Sequence, residues 1–91
     1  MKTKAVITVT GKDNVGIIAK VSNKCSEYGA NIVDISQSVL KEYFAMIMLV
    51  EIDKLTVPFT EFVDIVNLLG KENGLQIYAM HEDIFDSMHK I

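Results

Sequence analysis

The sequence predicts an α+β sandwich in the order β-α-β-β-α-β: a four-stranded antiparallel sheet, two helices on one of its faces, and a short C-terminal helix. Three observations carry this expectation. β-branched or alternating runs mark four strands, two apolar stripes at helical spacing separate them, and glycines fall where the helices should stop.

Residues 3–10 are rich in Thr, Val and Ile and read as the first strand. From Val15 to Tyr28, Ile17, Ile18, Val21, Cys25 and Tyr28 recur at helical spacing, and Gly29 supplies the left-handed residue that commonly ends a helix. Asn31 to Leu40 alternates, with Val33, Ile35 and Val39 expected on one face and Asp34, Ser36 and Ser38 on the other, as in a strand at or near an edge. A turn at Lys41-Glu42 leads to Tyr43–Ile52, apolar on both faces and therefore expected to be central. Pro58 suits a helix start, and Phe59, Phe62, Val63, Val66 and Leu69 form a stripe that ends at Asn73-Gly74. Leu75 to Met80 is the last strand. Ile84, Phe85 and Met88 give residues 82–91 a near-helical spacing.

Right-handed crossovers in the two β-α-β halves put the first and third strands at the centre of the sheet and the second and fourth at its edges. The two apolar faces of the third strand carry a second expectation. The terminal helix or a second subunit should cover the sheet face opposite the helices.

Ninety-one residues make one domain, with no internal repeat, linker or low-complexity segment. A hydrophobic content of 49% and a mean hydropathy of +0.26 are high for so small a chain and point to self-association. The formal charge of −3 offers no attraction to nucleic acid or an anionic membrane. All nine basic residues are lysine, so the bidentate guanidinium fork is missing. No run approaches the ~20 apolar residues of a membrane span, and the N-terminus lacks the apolar core of a signal peptide. A soluble, cytoplasmic protein is expected.

Gly11-Lys12-Asp13-Asn14-Val15-Gly16-Ile17-Ile18 is the segment with the most chemistry. It joins a strand to a helix, where unpaired backbone N–H groups can anchor a small anion. A phosphate-binding P-loop needs Lys-Ser/Thr after the second glycine, and a dinucleotide fingerprint needs glycine at position 13; neither is present. Asp13 or Asn14 is the expected N-cap, with Gly16 in the first helical turn, where a side chain would block approach to the backbone. The plain structural reading is a capped helix after a tight turn; the functional one is a site for a small carboxylate, with an Asn amide available to an α-amino group.

Other chemistries have less support. His81 and His89 lie eight residues apart in the tail and do not converge easily from one helix, so no metal site is expected and the tail's metal role is a weak alternative. Cys25 is the only cysteine and sits on an apolar stripe, which favours packing over nucleophilic work. Tyr43-Phe44-Ala45-Met46 lacks the charges and glycine of an RNA-reading strand. No CxxC occupies the first loop, no arginine could cradle a phosphate, and no catalytic series stands out. The expectation is a non-enzyme with no cofactor.

The Gly11–Ile18 segment resembles the "G-x-D-x-x-G-I-[VI]" opening of ACT domains, which are amino-acid-sensing regulatory modules, and Gly29-Ala30-Asn31-Ile32 resembles their "G-x-N-I" entry to the second strand. The whole chain is similar to small stand-alone ACT proteins of bacteria and archaea, in which Asp34-Ile35-Ser36-Gln37 and Asp83–His89 look typical. The resemblance implies a ferredoxin-like fold over 1–91, dimers or higher oligomers, and an amino acid held between subunits. By position, Asn14, Val15, Gly16 and Ile17 would form the loop side of that site and Asn31 the facing strand side. Many ligand-binding members carry proline before the glycine, where this chain has Val15. A signal from such a module passes through a regulated partner protein or a change of assembly. The alternative is a structural or interaction module that joins subunits and holds no small ligand.

Overall fold

The computed structural model describes residues 3–12 and 16–88. Lys4–Lys12 forms β1, Ile17–Tyr28 α1, Asn31–Leu40 β2, Tyr43–Glu51 β3, Phe59–Glu72 α2, Gln76–His81 β4 and Glu82–Met88 α3. The sheet order is β2-β3-β1-β4, and every neighbouring pair is antiparallel. The expected α+β ferredoxin-like arrangement is present, with β1 and β3 central. β1 runs past Thr10 because Gly11 and Lys12 stay paired with Phe44 and Tyr43.

The core forms between one sheet face and the two long helices. Ala5, Ile7 and Val9 of β1 and Phe44, Met46, Met48 and Val50 of β3 are buried there against Ile17, Val21 and Cys25 of α1 and Phe62, Val66 and Leu69 of α2. These positions follow period two in the strands and three to four in the helices, so each element hides one face. A tie at the helix ends joins α1 to α2: Lys20 Nζ donates to Asn73 Oδ1 at 2.7 Å, while Asn73 Nδ2 caps the Leu69 carbonyl at 2.8 Å.

β2 departs from the simple alternation. Ile32 pairs with Val50 and Asp34 with Leu49, which leaves Val33 as the extra residue of a bulge. Ile32 and Ile35 therefore both pack toward the core, whereas Val33 is exposed instead of joining Ile35 and Val39. Asp34 steadies the bulge by accepting the Ile35 N–H at 2.9 Å.

The opposite sheet face is only partly covered. Val6 is buried there, and α3 turns back to touch β1 and β4. Leu40, Tyr43, Ile47 and Tyr78 remain exposed on the same face. The terminal helix thus covers part of the β1–β4 side, leaving Tyr78 of β4 exposed, and leaves the β2–β3 side open.

Two positions in the frame make testable demands. Gly29 ends α1 at φ 82°, with Ala30 N–H returned to the Cys25 carbonyl at 2.8 Å, and a Cβ there would run into the Lys54 backbone carbonyl. Gly74 has a similar φ of 68° but open space around it. Gly29→Ala should therefore cost about 3 kcal/mol or more in urea unfolding, and Gly74→Ala only about 1 kcal/mol. Cys25 is fully buried, and burial pushes its thiol from 9.0 up to about 11. Between those values the unfolded chain loses the thiol proton and the folded chain keeps it. The stabilisation from Cys25 is thus complete below 9.0 and is lost as pH rises through about 11. Unfolding midpoints of the wild type should fall more steeply over that interval than those of Cys25→Ala, and equal slopes would refute the burial account.

Candidate functional site

The β1–β3 and β2–β3 registers decide where the predicted site residues can meet. Lys4 pairs with Glu51 and Glu51 with Asn31, so Asn31 stands at the end of the sheet where β1 begins. Lys12 pairs with Tyr43 at the other end, and Gly16 follows Lys12 there. From Lys4 to Lys12 the strand rises about 26 Å. One chain therefore keeps Gly16 and Asn31 at opposite ends of its sheet.

At the Gly16 end the helix starts on a glycine. Gly16 itself is the N-cap, at φ 82°, where the sequence suggests Asp13 or Asn14 with Gly16 in the first helical turn. Its carbonyl accepts the Lys20 N–H at 3.0 Å, which begins the helical ladder at the glycine. Among the described residues no side chain caps α1, and no acidic residue lies in its first turn. A Cβ on Gly16 would meet nothing within 4 Å among the described residues. Ile17 is buried in the core and can offer only its N–H. Asn14 and Val15, with Asp13, lie outside the described residues. A shallow depression of about 280 Å³, lined by Thr10, Gly11, Ser38, Leu40, Tyr43, Phe44 and Ala45, lies at the same end of the sheet.

The Asn31 end is polar. Asn31 is exposed and donates Nδ2–H to Glu51 Oε1 at 2.9 Å, directly across the β2–β3 ladder. Gly29, Asn31, Glu51, Asp53 and Lys54 line a hollow of about 380 Å³, within the size range of small-ligand pockets. Both oxygens of Asp53 accept the Thr3 N–H, at 2.9 and 3.0 Å, which ties the residue before β1 to the turn after β3. Glu51, Asp53 and Lys54 were not singled out by the sequence. They close an apolar strand and enter a turn, an ordinary place for charge, and only the register reveals that they surround Asn31.

The remaining candidates fall elsewhere. His81 packs its ring on Phe59 at the start of α2, with centroids 4.2 Å apart and planes tilted by 36°. His89 lies outside the described residues. Among the described residues, no three His, Cys, Asp or Glu side chains converge as metal ligands, and no helix is long and apolar enough to cross a membrane.

Comparison with known proteins adds the family. The family model for the ACT domain matches residues 3–77. A UPF0237 protein of Listeria innocua is 46% identical over 88 residues, covering 97% of this chain and 99% of its own. A UPF0237 protein of Methanocaldococcus jannaschii is 43% identical over 89 residues, covering 98% and 99%. Among solved structures, an ACT domain protein from Streptococcus pneumoniae superposes with a TM-score of 0.81 at 42% identity, over 98% of this chain and 100% of that one. ACT domains are non-catalytic regulatory and ligand-binding modules, and this chain belongs to that family, among its small stand-alone UPF0237 proteins of bacteria and archaea.

Proposed function

We propose that this protein binds a free amino acid between two copies of itself and acts as a regulatory module in the cytoplasm. The observation that carries the reading is the separation of the two candidate halves. Gly16 and Asn31 lie at opposite ends of the sheet, with the length of α1, about 18 Å for its twelve residues, between them, so a ligand that uses both must take them from different chains. A two-fold axis that sets two β2 edges antiparallel brings the Asn31 end of one chain to the Gly16 end of the other.

The β2 edge supports that arrangement. It is ten residues long, mostly exposed, and carries neither proline nor lysine between Asn31 and Leu40, the residues that ordinarily blunt a free edge. The loop half, Asn14 to Ile17, would offer N–H groups to the carboxylate, aided by a helix dipole worth about 0.5–1 kcal/mol. Binding that joins two chains couples ligand to assembly, and a regulated partner protein would read the change.

The second reading is an oligomerisation module with no small ligand. Exposed Leu40, Tyr43, Ile47 and Tyr78 favour it, since they give copies a reason to associate without any ligand. Thermal-shift screening against the twenty proteinogenic L-amino acids separates the two. At 100 times its Kd, a bound amino acid should stabilise the fold by about 2.7 kcal/mol. Gly16→Val should abolish that shift and leave a folded oligomer, at a strain cost of about 1–3 kcal/mol for a branched residue at this φ. No shift with any amino acid would favour the ligand-free module.

A further inference from the structure

We infer that Glu51 is a positioning residue: it fixes the amide of Asn31 so that the hollow beside it receives the ammonium end of an amino acid, leaving the carboxylate end to the Gly16 backbone of the other chain. The inference rests on the amino-acid reading above and adds to it the direction in which the ligand lies.

The argument begins with which atoms can face each other. A carboxylate offers only acceptors, so the Asn31 group 2.9 Å from Glu51 Oε1 must be the NH₂. That assignment follows from chemistry, without any need to distinguish nitrogen from oxygen by eye. With one Nδ2–H given to the anionic Glu51, Oδ1 is the acceptor that the amide offers to the hollow. An ammonium group has three donors and suits it; a carboxylate there would meet oxygen with oxygen.

The surroundings agree with this polarity. Asp53 already receives the Thr3 N–H on both oxygens, and among the described residues the lining carries two carboxylates, Glu51 and Asp53, and one cation, Lys54. The Gly16 end is the opposite. There the N-cap is a glycine with no side chain to cap α1, and the first turn of the helix itself carries no acid. The orientation that sets the ammonium by Asn31 Oδ1 and the two carboxylates, and the carboxylate at the α1 N–H groups, matches the charge at each end. Glu51 belongs to β3, and its backbone position is set by pairing with Lys4 on one side and Asn31 on the other. The rigid ladder thus holds the carboxylate that holds the amide.

The experiment compares three probes by calorimetry on the intact protein: the tightest-binding proteinogenic amino acid, its N-acetyl derivative, and its α-carboxamide. In the wild type both derivatives should bind more weakly than the free amino acid by about tenfold or more, since each loses a charge-assisted hydrogen bond. Glu51→Gln lets the amides at 31 and 51 pair in either sense. It should lower the free-to-N-acetyl ratio several-fold and leave the free-to-carboxamide ratio as it was. Asn31→Ala, at an exposed position, should do the same and serves if Glu51→Gln does not fold. Unchanged ratios in these variants would overturn the role of Glu51 and Asn31, as would a change confined to the carboxamide ratio. If the wild type binds none of the twenty amino acids, the amino-acid reading itself fails and this inference falls with it.

Discussion

The antiparallel ladder between β1 and β3 is the constraint on which the rest depends. It places Ala5, Ile7 and Val9 beside Phe44, Met46, Met48 and Val50 on one buried face, and so determines where the two helices must lie. The same register sets the distance between the two polar ends of the sheet. α1 begins beyond Lys12 and runs back, so that β2 can start only at the Lys4 end, beside Glu51. Core packing and the division of the candidate site are therefore consequences of one alignment.

That division gives a physical sense to the chain's excess of apolar surface. A small sheet covered by helices on one side cannot hide both faces of a strand such as β3. α3 relieves the β1–β4 side, where Val6 is buried, and the β2–β3 side stays open. In the proposed dimer, the open edge of β2, the exposed side chains beside it and the two candidate half-sites would all meet a second copy. The separate features favour one kind of assembly, and a regulatory module gains from that because occupancy and association become linked.

Much of this was legible in the sequence because it depends on periodicity. The double apolar alternation of Tyr43–Ile52 marked the central strand, and Gly29 marked the end of α1. The order of elements then left one plausible sheet. Three things were not legible, each for a local reason. The bulge at Val33 inserts one residue without any composition signal, so the faces of β2 were assigned incorrectly at that position. The cap of α1 fell on Gly16, since a glycine at positive φ can start a helix through its backbone alone while Asp and Asn nearby look like better caps. Glu51 gained its meaning only from sitting across the ladder from Asn31, and sequence spacing cannot show cross-strand partners.

The claim that the site is shared between chains is open to a complementation measurement. Gly16→Val removes the loop half and Asn31→Ala the strand half, so each variant alone should take up little amino acid at concentrations that saturate the wild type. Co-refolded in equal amounts, they should form mixed dimers in which one site carries both defects and the other none, restoring binding at about one in four sites. Restored binding near that level is the result predicted here. A mixture that binds no more than the separate variants would place Gly16 and Asn31 in the same site of one chain, or in no common site, and would contradict the account.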